Sequence, residues 1–95
     1  MYGTTMIATL ADGVAAEAIR AELDAWEKDH KVEGYESNHV LLSDDGKTVV
    51  NVVVFRSKEA YQALSDAPMQ DVWWREHFAP LLSGEPQWID GAWIS

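Results

Sequence analysis

The sequence contains no cysteine, and only seven of its 95 residues are lysine or arginine. Without cysteine the chain can form no disulfide bond, and it offers neither a thiolate metal ligand nor a thiol nucleophile. The seven basic residues stand against 16 acidic ones, for a formal net charge of -9, and they form no cluster that could neutralise phosphates. We therefore expect no nucleic-acid partner and no attraction to an anionic membrane surface.

Long apolar runs are also absent from the sequence, so it predicts no transmembrane helix. The stretch MYGTTMIATL at the start has neither the basic segment nor the cleavage site of a secretory signal, which leads us to expect a cytoplasmic protein. Hydrophobic residues make up 47% and charged residues 24%, which is typical of a folded globular protein. The length fits a single domain spanning residues 1–95.

Motifs that hold metals or phosphates are missing as well. The three histidines, His30, His39 and His77, lie on separate predicted elements, and no spacing of His, Asp and Glu indicates a metal site. The segment DDG at residues 44–46 lacks the later ligands of a calcium loop, and glycine-rich phosphate loops and nucleophile elbows are absent. We therefore expect no metal and no other bound cofactor.

The first part of the chain predicts a strand followed by a helix. Thr4 to Leu10 is short, β-branched and apolar, as expected for a strand, and the Asp-Gly pair at residues 12–13 ends it. From Val14 to about His30 the apolar period becomes helical, and we expect Asp12 to be the N-cap. The stripe of this helix that faces the core consists of Ile19, Leu23, Trp26 and His30.

Residues 34–55 predict a long hairpin. Asp45 and Gly46 supply the two central residues of a type I′ turn, in which both positions need a positive φ. This turn sets three cross-strand pairs: Leu42 with Val49, Val40 with Asn51, and His39 with Val52. One predicted face carries Glu36, Asn38, Val40, Leu42, Val49, Asn51, Val53 and Phe55, and the other carries Tyr35, Ser37, His39, Leu41, Val50, Val52, Val54 and Arg56. His39 and Asn51 therefore lie on opposite faces, and the sequence does not decide which of them faces the helices.

The third predicted strand, TVVNVVVF at residues 48–55, is apolar on both faces. An antiparallel sheet with one solvated side does not require this pattern. The chain has too few helices to cover both sides of its sheet, so a second copy of the protein is the economical cover for the other face. The sequence therefore predicts a homodimer.

The second part of the chain predicts two helices and a last strand. Ser57 caps a short helix that runs to about Ser65, and Asp66 to Pro68 opens a second helix that ends near Ala79, before Pro80. Residues 87–94 alternate as a strand. The order of elements predicts an α+β, ferredoxin-like βαββαβ sandwich, with right-handed crossovers placing both helical layers on one face of an antiparallel sheet.

Four features of the chain, taken together, point to a known family. They are the order of elements, the Gly34-Tyr35 pair before the hairpin, the stretch VFRSKEAY at residues 54–61, and the helix that opens with Ala67-Pro68. In these features the chain resembles the antibiotic-biosynthesis monooxygenase family of dimeric α/β barrels. The resemblance spans nearly the whole chain, and its motifs are short.

The resemblance implies a cavity between the sheet and the helices of each subunit. In cofactor-independent members of the family this cavity holds a polycyclic phenol or hydroquinone. Oxygen reacts there with the carbanion of the substrate itself, and the protein supplies enclosure, orientation and a proton acceptor. The predicted function is therefore a cofactor-independent monooxygenase that oxidises a small aromatic or polycyclic phenol or hydroquinone with molecular oxygen.

The chain also departs from the pattern of the family. Phe55 stands where many members have Trp, and Leu64 stands where many have His. A non-catalytic, dimeric ligand-binding or accessory protein is therefore the alternative. Haem degradation is a third reading, but haem-degrading members have Asn on the first strand and an axial His on the second helix, where this chain has residues 6–8, Met-Ile-Ala, and Trp73.

Two residues of the stretch QDVWWREHF at residues 70–78 are candidates for the site. Trp73 and His77 are four apart, so an α-helix places them on one face. His77 is the candidate proton acceptor because imidazole titrates near neutral pH, and its alternative role is that of a partly exposed residue near a helix C-terminus. Trp73 is either a wall of the substrate pocket or part of the core.

Four further residues complete the set of candidates. Asn51 interrupts a run of valines, and because a buried amide must be hydrogen-bonded, it either makes a structural bond or orients a ligand. His39 is a candidate for the same two roles if its face of the sheet lines the cavity rather than a dimer interface. Tyr61, a phenol near the expected rim, and Trp26, on the inner stripe of the first helix, are further candidates for substrate binding.

Overall fold

The computed structural model describes residues 1–95. The strands are β1 (Tyr2–Leu10), β2 (Tyr35–Leu42), β3 (Thr48–Phe55) and β4 (Leu82–Ala92). The α-helices are α1 (Ala16–Asp29), α2 (Lys58–Asp66) and α3 (Pro68–Trp73). Helix α3 continues into a π-helical turn (Trp74–Phe78) and then a 3₁₀ turn (Ala79–Leu81), which leads into β4.

The four strands form one antiparallel sheet in the order β2-β3-β1-β4. The helices pack on one face of this sheet: Ile19 of α1 lies in a core cluster with Met6, and Leu64 of α2 lies in a second cluster with Phe55. The predicted α+β, ferredoxin-like fold with both helical layers on one face is confirmed.

The hairpin has the predicted register but a different turn. Val40 pairs with Asn51 and His39 pairs with Val52, as expected. The type I′ turn is wrong, because no residue other than glycine has a positive φ, and only Gly46, at 75°, adopts one in this turn. The Asp45 side chain instead accepts hydrogen bonds from the Ser43 hydroxyl at 2.6 Å and from the Lys47 backbone N–H at 3.0 Å, and these bonds hold the pKa of Asp45 below its usual range.

A β-bulge at the start of β2 changes the predicted face of Tyr35. Tyr35 pairs with Phe55, and Ser37 pairs with the adjacent Val54, so Glu36 is the extra residue on its strand. The bulge turns Tyr35 onto the face that carries Asn38 and Phe55, which corrects its predicted place beside Ser37. The alternation of β2 in the sequence gives no sign of this extra residue.

Several predicted element boundaries shift. Helix α1 has Ala15 rather than Asp12 at its N-cap position, because a turn closed by the bond from the Val14 N–H to the Ala11 oxygen precedes it. The last strand begins at Leu82 rather than at residue 87, because its first residues pair with the end of β1 before a register shift. The predicted cap of α2 is confirmed, since the Ser57 hydroxyl accepts a bond from the Ala60 N–H at 3.1 Å.

The segment after α3 is not the continuous α-helix that the sequence predicts. The backbone N–H of Ala79 bonds to the oxygen of Trp74, which is the i→i+5 spacing of a π-helix. Pro80 has no N–H and cannot make the next α-helical bond, so the α-helical pattern ends early. The wider π turn brings Phe78, rather than His77, beneath Trp73, and their ring centroids are 5.5 Å apart.

The opposite face of the sheet has no helix over it. Val50, Val52 and Val54 of β3 are partly exposed there, and Leu41 and Ile89 on the same face are 64% and 55% exposed. This is the face for which the sequence predicts a second copy of the chain. No helix in the structure combines the length and the apolar character needed to cross a membrane.

Candidate functional site

A cavity of about 490 Å³ lies between the sheet and the helices and is partly open to solvent. Every strand and every helix contributes at least one residue to its lining. The volume falls within the range of roughly 300–1,000 Å³ that is typical of small-molecule sites. Trp26, Leu64 and Trp73 line this space without filling it.

Aromatic rings in mutual contact form much of the cavity wall. Trp26 meets Tyr35 edge to face with ring centroids 5.3 Å apart, and it lies 6.2 Å from Trp73. Phe55 contacts Tyr35 at 5.9 Å and Tyr61 at 5.3 Å, both edge to face. Because each ring is held by its neighbours, the wall is a preformed apolar surface suited to a flat aromatic ligand.

Asn51 is the one buried polar residue of β3 and lies in the floor of the cavity. Its Nδ2 donates a hydrogen bond to the backbone oxygen of His39 at 3.1 Å. This bond fixes the orientation of the amide, and its Oδ1 accepts no hydrogen bond from the protein. Asn51 therefore makes a structural hydrogen bond and still presents an acceptor that a ligand can use.

At the β4 edge of the floor, Asp90 accepts hydrogen bonds from two hydroxyl groups. Its Oδ1 accepts hydrogen bonds from the Thr4 hydroxyl at 2.5 Å and from the Tyr61 hydroxyl at 3.2 Å. Burial raises the pKa of Tyr61, and the nearby Asp90 carboxylate raises it further, so the phenol stays protonated and donates. All three residues line the cavity.

A second polar group lies at the β2 edge. The Tyr35 hydroxyl donates to the Glu27 carboxylate at 3.0 Å and accepts a hydrogen bond from the Asn38 side chain. Burial is the main reason that the pKa of Tyr35 rises to about 12, with Glu27 adding to the rise against the opposing bond from Asn38. Each edge of the cavity floor thus holds a phenol bonded to a carboxylate. They differ in that the carboxylate of the β4 edge, Asp90, lines the cavity itself, whereas at the β2 edge the amide of Asn38 lines it and Glu27 does not.

A hydrogen bond joins α1 to α3 above the cavity. The Trp26 Nε1 donates to Gln70 Oε1 at 2.8 Å, and His30 stacks on the outer side of Trp26 with ring centroids 5.5 Å apart. Trp26 is only 6% exposed despite its size. The bond therefore satisfies a buried indole N–H and holds one wall of the cavity against another.

The structure brings together four of the six residues proposed from sequence. Trp26, Asn51, Tyr61 and Trp73 all line the cavity. His39 does not, because it lies on the exposed face of the sheet, and this decides which of His39 and Asn51 faces the helices.

His77 also lies outside the cavity lining. Its Nδ1 is 3.6 Å from the Glu22 carboxylate, and its side chain is 53% exposed. The expectation that His77 shares the inner face with Trp73 is wrong, because it assumed α-helical spacing and the chain forms a π turn there. The position under Trp73 belongs to Phe78, which is 1% exposed.

Several lining residues were not among the sequence candidates. Tyr35 reaches the cavity only through the bulge, and Thr4 and Asp90 meet only because β1 pairs with β4. Trp88 lies on the same side of β4 as Asp90 and packs against Trp74 at 5.3 Å. Trp88 and Asp90 are two residues apart in the alternating stretch 87–94, so the strand pattern of the sequence puts them on one face, and this is the signal that could have indicated them.

The lining residues offer little to hold a metal or a haem. No group of three or more His, Cys, Asp or Glu residues is placed to hold a metal ion. No histidine lines the cavity, and its two tyrosine hydroxyls, those of Tyr35 and Tyr61, are engaged with carboxylates. The residues present therefore do not fit an axially ligated haem.

The fold and the cavity define a small α+β protein with the architecture of the antibiotic-biosynthesis monooxygenases. The chain is similar to ActVA-Orf6, a monooxygenase from Streptomyces coelicolor solved with the ligand nanaomycin D, at 26% identity and a TM-score of 0.66, covering 94% of this chain and 85% of that one. It is similar to SnoaB, a cofactor-independent oxygenase from Streptomyces nogalater, at 15% identity and a TM-score of 0.69, covering 93% and 90%.

A third similar structure is that of Rv0793 from Mycobacterium tuberculosis, at 21% identity and a TM-score of 0.75, covering 99% of this chain and 95% of that one. No protein-family model matches the chain, and no curated protein matches it in sequence. The predicted resemblance to the antibiotic-biosynthesis monooxygenases is thus confirmed by structural likeness, at the level of the fold.

Proposed function

We propose that the protein is a cofactor-independent monooxygenase that oxidises a small aromatic or polycyclic phenol or hydroquinone. The observation that carries the proposal is the aromatic-walled cavity with the Asn51 amide in its floor. Two structurally similar proteins are described as a monooxygenase and a cofactor-independent oxygenase, which supports the same chemistry.

The proposed reaction balances with oxygen as the only co-substrate. For an anthrone, transfer of a proton from the central ring to water in the partly open cavity gives a carbanion, which transfers an electron to O₂. The resulting radical and superoxide combine into a peroxide anion on the ring carbon, which takes up a proton from water, and loss of water from the hydroperoxide leaves the quinone. One oxygen atom enters the product and the other leaves as water, so the substrate supplies all the electrons and no flavin or metal is required.

In this scheme the residues of the cavity enclose the substrate, orient it and stabilise the negative charge that develops on its oxygen atoms. The rings of Trp26, Trp73 and Phe55 enclose a flat substrate and limit its contact with water. The free Oδ1 of Asn51 can accept a hydrogen bond from a substrate hydroxyl and so orient it, as can the oxygen of the Tyr61 hydroxyl, whose proton is bonded to Asp90. The second N–H of the Asn51 amide can donate to a substrate oxygen, and this bond, which strengthens as negative charge develops there, would lower the barrier. His39 and His77, placed outside the cavity, have no direct contact with a ligand in it.

Oxygen consumption with anthrone tests the proposal. We expect one O₂ consumed for each anthraquinone formed, with no hydrogen peroxide released. Asn51→Leu keeps a similar side-chain volume but removes the amide, and we expect it to lower kcat at least about tenfold while the protein stays folded. His77→Ala is the comparison variant. Near-normal turnover would support a catalytic role for the cavity residues, whereas a loss equal to that of Asn51→Leu would support His77 as the proton acceptor.

The alternative is a non-catalytic ligand-binding protein with the same cavity. It is supported by Phe55 and Leu64, which replace the Trp and His of many members of the family. Tight binding of anthrone or its quinone, with no oxygen uptake above the uncatalysed rate across a varied panel of hydroquinones, would establish this alternative and overturn the monooxygenase.

We also propose that the protein is a homodimer in the cytoplasm, with the two exposed sheet faces packed together. The support for the dimer is the row of partly exposed valines on β3, Val50, Val52 and Val54, with no helix over it.

A further inference from the structure

The charge of the cavity lining has one sign. Its ionisable side chains are Asp71, Asp90, Tyr35 and Tyr61, and no lysine, arginine or histidine lines it. Glu27 lies just behind Tyr35, within hydrogen-bond distance of its hydroxyl. An anionic ligand would therefore meet carboxylates and no compensating cation.

The two carboxylates of the lining differ in their partners. Asp71 lies 3.2 Å from the guanidinium Nε of Arg75, so a basic side chain already balances its charge. Asp90 has no basic side chain within ion-pair distance, and its two hydrogen-bond donors, Thr4 and Tyr61, are neutral hydroxyls that bond to Oδ1 alone. Asp90 is exposed to solvent, its Oδ2 has no protein partner, and no basic side chain of the protein balances its charge.

The rings around the cavity complement this charge. Tryptophan faces attract cations through the negative potential over the ring, and Trp26, Trp73 and Trp88 line the same space as Asp90. Asp90 also lies at the edge of the floor opposite Asn38, three strand spacings of about 4.8 Å away, or roughly 14 Å across the sheet. That width leaves room for a fused-ring system with a substituent reaching Asp90.

We propose that the cavity selects its ligand by charge: it binds aromatic ring systems that carry a cationic amine in preference to those that carry a carboxylate. Asp90 is the residue that determines this preference. The inference rests on the cavity being the substrate site of the proposed function, and it narrows the substrate class to amine-bearing aromatics. Asp90 binds the amine through Oδ2 while Thr4 and Tyr61 hold Oδ1 in place.

Three anthracenes that differ only in one substituent test the inference. These are 9-(aminomethyl)anthracene, which is cationic at neutral pH, 9-anthracenemethanol, which is neutral, and anthracene-9-carboxylate. Calorimetry should rank their affinities in that order, with the cation bound roughly tenfold more tightly than the anion, because an exposed ion pair and a cation–π contact are each modest. The neutral compound should displace the cation, which places both in one site.

Two variants separate Asp90 from the overall negative charge of the protein. Asp90→Asn removes the charge and keeps an oxygen to accept from Thr4 and Tyr61, and it should abolish most of the preference for the cation while leaving 9-anthracenemethanol binding within about twofold. Asp66→Asn changes the net charge equally, but Asp66 is not part of the lining, so the full preference should remain. Equal affinities for the three ligands, or equal effects of the two variants, would overturn the proposal.

The binding experiment and the anthrone oxidation experiment can fail independently of each other. If the affinities follow charge and neither anthrone nor an anthrone that carries an aminomethyl group is oxidised, the charge selection stands and the monooxygenase is wrong. If anthrone is oxidised while the three anthracenes bind equally, or the anion binds best, the monooxygenase stands and the charge selection is wrong.

Discussion

Single residues in this protein derive their roles from what surrounds them in the folded state. Asn51 was a candidate from sequence because an amide is out of place in a run of valines, and the structure gives it both a structural bond and a free acceptor. Asp90 drew no notice in the sequence because it sits in an ordinary alternating strand. Its two hydroxyl partners come from β1 and α2, which are far away along the chain.

At the residue scale, alkaline titration should reveal the half-buried phenol of Tyr35. Its pKa is raised from 10.0 to about 12 in the folded state, so the folded protein holds a proton that the unfolded chain releases. The stability from this group is complete below about pH 10 and is lost as the pH rises towards about 12. Absorbance of phenolate at 295 nm should show a late titration step.

The control for this titration is Tyr35→Phe. This variant should lose the late step and should show a weaker fall in the urea midpoint between pH 10 and pH 12 than the parent protein. A late step that persists in Tyr35→Phe would show that another tyrosine produces it.

The position of helix α2 against the hairpin depends on a close contact at Gly34. Gly34 lies between α1 and β2 with φ of 85°, and a Cβ at this position would overlap the Cβ of Ala60 on α2. The Arg56 N–H also bonds to the Gly34 oxygen at 2.7 Å. This contact allows α2 to pack closely over the start of the hairpin, next to the bulge that turns Tyr35 into the cavity.

At the element scale, Gly34→Ala should destabilise the protein more than Gly13→Ala. Both glycines have a positive φ, so each substitution should cost about 1 kcal/mol for the left-handed backbone conformation. Only Gly34 also meets a neighbouring side chain, because nothing lies within 4 Å of a Cβ at Gly13. We expect about 1–3 kcal/mol more loss for Gly34→Ala, measured by urea unfolding; equal losses would show that α2 moves away freely.

At the scale of the whole molecule, the two faces of the sheet differ in how they are covered. One face carries the helices and the cavity, and the other exposes aliphatic side chains that a soluble monomer has little reason to present. Because the cavity lies on the helix side, a dimer formed through the exposed face would leave it accessible.

At this scale, sedimentation should detect the dimer. We expect the parent protein to sediment as a dimer at micromolar concentration and Val52→Lys, on the exposed face of β3, to sediment as a monomer with an unchanged circular dichroism spectrum. Val72→Lys is the matched control, since Val72 is a 42% exposed valine on helix α3, and this variant should remain a dimer. A parent protein that is a stable monomer would count heavily against the dimer.

The sequence by itself determined the order of elements, the hairpin register and the helix stripe of Ile19, Leu23 and Trp26. These features follow from periods of 2 and 3.6 residues and from turn residues, which are local properties of the chain. The same local signals placed Asn51 and Trp73 on candidate faces, although they left the identity of the cavity-facing side open.

Only the tertiary structure decided which residues share the cavity. The bulge at Glu36 and the π turn after Trp73 each shift the side-chain pattern by one residue, which exchanges His77 for Phe78 and brings in Tyr35. The meeting of Asp90 with Thr4 and Tyr61 depends on strand pairing and helix packing between distant segments. The periods of 2 and 3.6 residues specify neither the bulge nor the π turn, although Pro80 explains why the α-helical bonds end early, and the aromatic contacts around Tyr35 and Phe78 form only in the folded chain.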